Sequence, residues 1–330
     1  MSSRLSGSPR LLQHGSPSPV HPSNRRLYPA NRHQPGEVSL RNGLRPPCPS
    51  SPLPPRPLLT LHQSGADQTE SQRLNAQHNG IKAYWGGNNA GAKWPEKPAK
   101  ILEIGMGSGV WAMEVAEQFS GAEVIGVDLA EPNMERKPPN FIFQRLNVAT
   151  DAWPFAPDTF DIVHCRFVCI HIPNFQNLLE KAIEATAPGG IIMFEDPDLT
   201  FKSDGQPVPA RAALLFALMH GYGKWNGVDT NTGPMLAPII RASKKFSEIH
   251  ESIIPAPMGD WTEDKTLHAI GLGMRAGLVD AARGTPDPRF FQFGMTREIG
   301  EGMCQEVMKN ENRLYFDIHF VWARKRRATM

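Results

Sequence analysis

Residues Lys100 to Ala116 read KILEIGMGSGVWAMEVA, and the fold is decided by this stretch. Ile101 to Ile104 form a short apolar-leaning run, as a buried strand requires. Gly105, Gly107 and Gly109 follow at every second position. Val110 to Phe119 then reads as a helix whose only polar stripe is Glu114, Glu117 and Gln118, so most of its surface is expected to be buried. Gly121 is placed to end it. A strand that feeds a helix through a glycine-rich turn brings bare backbone up to a ligand, because glycine takes tight dihedrals and presents no side chain. The dinucleotide fingerprint G-x-G-x-x-G is not met from Gly105 or from Gly107, since the third glycine is replaced by Val110 or Ala112. The pattern is instead E-x-G-x-G-x-G, opened by Glu103.

Downstream, Glu123 to Val127 (EVIGV) reads as a second strand closed by Asp128. An acid at the end of that strand, about 20 residues past the glycines, clamps a ribose in doubly wound nucleotide sites by accepting from both hydroxyls. Leu129 beside it supplies an apolar wall for a base. Phe141 to Leu146 (FIFQRL) reads as a third strand, with Asn147 and Val148 at its end. Asp161 to Val163 form a fourth strand that ends at Cys165 and Arg166. Asn174 to Ala187 is amphipathic, with Leu178, Leu179, Ala182, Ile183 and Thr186 on one face. Asn174 is its expected cap, and Pro188-Gly189-Gly190 its stop. Ile191 to Glu195 (IIMFE) is the fifth strand. Strands alternating with helices predict an α/β fold, a parallel sheet doubly wound by helices on both faces.

The formal charge of +2 is unevenly spread. Residues 1–66 carry eight Arg, no Lys and a single acid, Glu37, which leaves about −5 on the remainder. A mildly acidic body argues against a nucleic-acid partner. Residues 1–66 are rich in Ser, Pro and Arg without an apolar period, so a disordered tail is expected, with the folded domain at 67–330. An Arg-rich, acid-poor start also suits a mitochondrial presequence, but its proline density opposes the amphipathic helix such a signal needs. Cys48, Cys165, Cys169 and Cys304 show no zinc spacing and read as free thiols of a reducing compartment, with no metal expected. No apolar run approaches the ~18 residues of a membrane span. A cytoplasmic location is expected, with the basic ARKRR near the C-terminus a weak nuclear signal beside its reading as a solvated terminus.

Three segments, GSGVWA, FDIVHCR and APGGIIMFEDPD, resemble the class I S-adenosylmethionine (SAM) methyltransferases, most closely the fungal secondary-metabolism enzymes of the velvet-complex type. The likeness covers about Glu70 to Pro197 and the final strand. It implies a Rossmann-like seven-strand sheet with the last strand antiparallel, Phe246 to Ile254 and Tyr315 to Ala323 supplying the sixth and seventh strands. It implies SAM as cofactor, held by Glu103, Gly105, Gly107, Gly109, Asp128 and Leu129. Asn147 or its rival Asp151 would hold the adenine amino group, the Val148 N–H would meet a ring nitrogen, and the Cys165 and Arg166 carbonyls would take the ammonium. Met106 departs from the family pattern, and its side chain is expected to point away from the cofactor.

A helix over Glu70 to Trp85 is expected to pack over the cofactor cleft, with His78 given no role. Helical cap segments at about 206–245 and 260–313 are expected to cover the acceptor, the second opened by a capping box of Asp260 and Glu263. A small-molecule acceptor is expected, with a protein partner as the other option. Methyl transfer relies largely on positioning. His171, just after the fourth strand, is the leading general base, and its rival reading is a structural loop histidine. Glu195 and Asp196 are expected at the ligand edge, and His164 packed on its strand. The competing functions are a SAM-binding regulator with little catalysis and, against the glycine spacing, a nicotinamide-dependent dehydrogenase. The composition of residues 1–66 predicts that their deletion leaves the melting temperature and SAM affinity unchanged, and a melting point several degrees lower would contradict it.

Overall fold

The computed structural model describes residues 68–133, 136–282 and 294–327, so the tail expected over 1–66 lies outside the described residues. The elements in chain order are α1 (Gln68–Tyr84), β1 (Lys100–Ile104), α2 (Val110–Gln118), β2 (Glu123–Asp128), β3 (Phe141–Arg145), β4 (Phe160–Arg166), α3 (Phe175–Ala185), β5 (Thr186–Ser203), α4 (Ala210–Trp225), α5 (Gly233–Ala242), β6 (Phe246–Pro257), α6 (Lys265–Ala282), α7 (Arg297–Val307) and β7 (Leu314–Lys325). The strands form one sheet in the order β3-β2-β1-β4-β5-β7-β6. β1 to β5 pair in parallel, and β7 runs antiparallel to both β5 and β6. Central strands are covered on both faces and therefore read as apolar runs. On one face Ile101, Ile162 and Ile191 meet Trp111, Ala112 and Val115 of α2. On the other, Leu102, Val163 and Ile192 meet Leu178 and Leu179 of α3 and Leu236 and Ile240 of α5.

Several local expectations are corrected. α2 stops at Gln118 without Gly121 entering the left-handed region; Nδ2 of Asn140 donates to the carbonyls of Ala116, Phe119 and Ala122 at 2.8–3.1 Å. Asn174 precedes α3 at φ 53° and makes no side-chain cap bond. Pro188-Gly189-Gly190 lies inside β5, where the pairing with β4 is irregular between Phe160 and Ile162. The capping box expected at Asp260 is absent: Asp264 takes the Thr266 and Leu267 N–H groups at 2.9 and 3.2 Å. Asp260 instead pairs with His268 and Arg275, both at 2.8 Å. The basic run near the C-terminus is not simply solvated. Lys325 is buried and donates to Asp158 and to the carbonyls of Ile183, Glu184 and Thr186, neutralising the C-terminal end of α3.

The first cap segment divides. α5 packs into the sheet core and is part of the scaffold, whereas α4, α6 and α7 share a separate apolar cluster with β6 and β7. α1 joins that assembly by lying antiparallel on α6. Gly80 meets the backbone of Ala269 and Ile270, Gln77 meets Gly273, and Arg73 meets Gly277. A Cβ on Gly80 would stand 2.9 Å from the Ala269 carbonyl carbon and the Ile270 nitrogen, so only glycine allows this approach. Gly302 of α7 has nothing within 4 Å of its Cβ position. Gly80→Ala should therefore destabilise by roughly 1–3 kcal/mol through overpacking, although alanine is the better helix former. Gly302→Ala should stabilise by about 0.5–1 kcal/mol. Denaturant unfolding of both variants checks the pair; a stabilising Gly80→Ala would refute the close crossing.

Candidate active site

The turn after β1 fixes the site. Gly105, Gly107 and Gly109 sit at φ 68°, 54° and 77°, all in the left-handed region that a side chain disfavours. At Gly105 the space is closed as well, since an added Cβ would lie 2.3 Å from Cγ2 of Val168. The Gly105 and Met106 N–H groups donate to the Val127 carbonyl at 2.8 and 3.2 Å, and the Gly107 N–H donates to Asp128 Oδ2 at 2.8 Å. Asp128 Oδ1 accepts from the Leu129 N–H at 2.6 Å. The carboxylate at the tip of β2 thus shapes the glycine turn while it faces a cavity of about 380 Å³.

Glu103, Gly105, Gly107, Asp128, Leu129, Val148, Arg166 and His171 all line this cavity. The other three expected site residues do not. Gly109 is the N-cap of α2. The Asn147 side-chain oxygen is used locally by the Ala149 N–H at 3.1 Å, and its rival Asp151 takes the Asn147 N–H at 2.8 Å; Leu146 lines the cavity next to them. The Cys165 side chain is fully buried on the α3 side of the sheet. Met106 is buried against Gly126 yet also borders the cavity. His171 is half-buried at the end of a single 3-10 turn, Cys169–His171.

The helices expected over the cleft do reach it, and the side chains they contribute are what sequence reasoning left unnamed. Arg73, Leu74, Gln77 and His78 reach the cavity from α1, Met219 and Tyr222 from α4, and Met274 and Leu278 from α6. Phe316 of β7 lies beside them. The GMRAG spacing of Gly273 and Gly277 was the signal available for a close helix crossing. His78 is the largest change of role: it is buried and shares Glu114 Oε2 with Lys82, at 3.1 and 2.6 Å. Burial, with Arg166 alongside, lowers its pKa to about 4 despite Glu114, so the imidazole is neutral near pH 7.

A row of charged side chains closes the α2 face of the sheet. Glu103 and His164 are register partners across β1 and β4, as are Arg166 and Glu195 across β4 and β5. His164 is fully buried, stacked on Trp111 with centroids 3.9 Å apart, and its ring nitrogens lie 3.5 Å from Glu103 and 3.8 Å from Glu195. Burial pushes the Glu195 carboxyl up, but the Arg166 guanidinium, with His164 and His78 beside it, together outweigh that and hold the group below its ordinary range. Glu103 Oε2 is buried without a hydrogen-bond partner. Among the described residues, no group of His, Cys, Asp or Glu is arranged to hold a metal ion.

Glu195 and Asp196, expected at the ligand edge, do not line the cavity. Asp196 projects to the opposite face and is fully buried. It accepts from the N–H groups of Cys169 (3.4 Å) and Ile170 (3.2 Å) and so holds the turn that carries His171. Burial raises its pKa to about 7 against these bonds.

A family profile described as a methyltransferase domain matches residues 86–225. Methyltransferase str2 of Strobilurus tenacellus is 34% identical over 247 residues, 74% of this chain and 88% of that protein. Methyltransferase str3 of the same fungus is 34% identical over 212 residues, 64% of this chain and 76% of that protein. The secondary metabolism regulator LAE1 of Cochliobolus heterostrophus is 27% identical over 286 residues, 81% of this chain and 90% of that protein.

The environment of Asp196 makes a pH prediction. Between its ordinary pKa near 3.8 and about 7 the folded protein holds a proton that the unfolded chain has lost. Stability contributed at this site therefore falls as pH rises through that window, by at most about 4 kcal/mol at 1.36 kcal/mol per pKa unit. Asp196→Asn, which cannot ionise, should gain stability relative to the unsubstituted protein from pH 5 to pH 8. Parallel unfolding curves at the two pH values would contradict it.

Proposed function

The chain belongs to the SAM-dependent methyltransferases, and from that membership we propose how its cavity divides the work. It is an enzyme that transfers a methyl group from SAM to a small-molecule acceptor. SAM supplies a methyl group already activated on a sulfonium sulfur. The observation that carries the assignment of residues is the partnerless, buried Oε2 of Glu103 beside a left-handed glycine turn. A carboxylate oxygen in that position suits a ligand with a cationic end, and bare backbone at Gly105 and Gly107 leaves room for its chain. Asp128 is the ribose acceptor, Leu129, Leu146 and Val148 wall the base, and Glu103 takes positive charge.

The opposite wall receives the acceptor. Met219, Tyr222, Met274, Leu278 and Phe316 make it apolar and aromatic, which supports an apolar or aromatic small molecule. Positioning supplies most of the rate, up to ~7–11 kcal/mol of barrier without acid or base. An oxygen acceptor still sheds a proton, and His171 is the base that this wall offers. Its turn is held by Asp196 from behind, so the imidazole is carried on fixed backbone. Glu103 presents a carboxylate to the cavity, and His164 and Glu195 lie buried in the sheet beside it.

Asp128→Ala should weaken SAM binding at least ~30-fold, because two hydrogen bonds to a charged group are worth up to ~3–6 kcal/mol and water returns part of that. Since Asp128 also holds the Gly107 N–H, Asp128→Asn should fall between the two. Calorimetry with SAM, S-adenosylhomocysteine and NAD checks this, and tight NAD binding would refute the cofactor assignment. His171→Ala should lower turnover about 10²–10⁴-fold with SAM affinity kept. A loss under ~10-fold would leave the reaction to positioning alone.

A further inference from the structure

Two cationic side chains of long reach, Arg73 and Arg166, line the cavity, and they are not equivalent. Arg73 is spent on its own helix. Its Nε and Nη2 each donate to Glu70 at 2.7 Å, and its Nη1 reaches the Gly273 carbonyl at 3.5 Å. Arg166 is mostly buried and only partly engaged. Its Nε lies 2.9 Å from Glu195 Oε2, but off the line that a hydrogen bond needs. Its Nη1 stands 3.4 Å from Nδ1 of His78. Among the described residues Nη2 has no hydrogen-bond partner.

The state of His78 follows from its neighbours. Glu114 is an acceptor only, so the neutral imidazole places its N–H on Nε2 and leaves the Nδ1 lone pair for Arg166. Lys82 fixes Glu114 in turn. The guanidinium is thereby set between Glu195 of the sheet and His78 of α1. It stands one strand away from Glu103, whose Oε2 is also without a partner. A free donor group and a free acceptor group on adjacent strands, facing one cavity, are complementary to an α-amino acid.

We propose that the Arg166 side chain receives the α-carboxylate of the cofactor's methionine moiety while Glu103 takes its ammonium, and that His78 is the positioning residue that aims Arg166. This rests on the cavity being the SAM site. It gives the Arg166 side chain a role that a backbone carbonyl at this position would not have, and it ties cofactor affinity to the docking of α1.

The test compares S-adenosylhomocysteine with its decarboxylated analogue, S-adenosyl-3-thiopropylamine, which differs only by the carboxylate. Calorimetry on the full chain should show the first bound about 10- to 100-fold more tightly, the scale of a charge-assisted hydrogen bond. Arg166→Met should abolish that preference by weakening S-adenosylhomocysteine alone, and Arg166→Lys should restore part of it. His78→Phe should narrow the preference by a smaller factor, with the decarboxylated analogue bound as before. Equal affinity of the unsubstituted protein for the two ligands overturns the carboxylate assignment without any variant. An equal loss on both ligands in Arg166→Met overturns it as well, because it marks a merely structural side chain. Binding of neither ligand overturns the SAM reading itself, and the proposal with it.

Discussion

The bond from the Gly107 N–H to Asp128 Oδ2, at 2.8 Å, joins the tip of β2 to the turn between β1 and α2. Around it the Gly105 and Met106 N–H groups are taken by the Val127 carbonyl, so the glycine turn is hung from the neighbouring strand. Three left-handed residues in one turn are unfavourable for any amino acid but glycine. With glycine in place the turn can run close to Val168 and Leu74. The wall after β4 and the roof from α1 are thus both gauged on the same bare backbone.

Above this turn the molecule keeps an unusual concentration of charge at the end of an apolar sheet. Ile101, Ile162 and Met193 are core residues, and one step further along the same strands stand Glu103, His164 and Glu195. Buried carboxylates are tolerated when cations sit beside them, and Arg166 does this for Glu195. Glu103 lacks such a partner on Oε2, and it borders the cavity. The opposite wall, from α4, α6 and β7, is apolar and aromatic instead. A cationic cofactor and an apolar acceptor are sorted by this difference.

The additions to the basic fold serve two purposes. α5 lies in the sheet core, where Leu236 and Ile240 pack as a crossover helix would. α6 and α1 form a glycine-lined antiparallel pair, and α1 then reaches down to Glu114 and Arg166 through His78. The roof of the cavity is consequently held from one side by close packing and from the other by charge.

The sequence by itself determined the strands, the glycine turn, Asp128 and the parallel pairing of the first five strands. Each of these is a local pattern: an apolar run, a glycine at a left-handed position, an acid at a strand end. Eight of the eleven expected site residues line the one cavity. Only the tertiary structure decided that Asn147 turns its side chain back on its own loop and that Cys165 faces the core. The pleat of β4 sets the direction at Cys165, and the hydrogen bonds of the turn after β3 set it at Asn147. The tertiary structure alone decided that His78, 88 residues before Arg166, meets it at 3.4 Å. Helical spacing tells which residues share a face of α1, but the partner across that face depends on how closely two distant glycine-bearing backbones can approach.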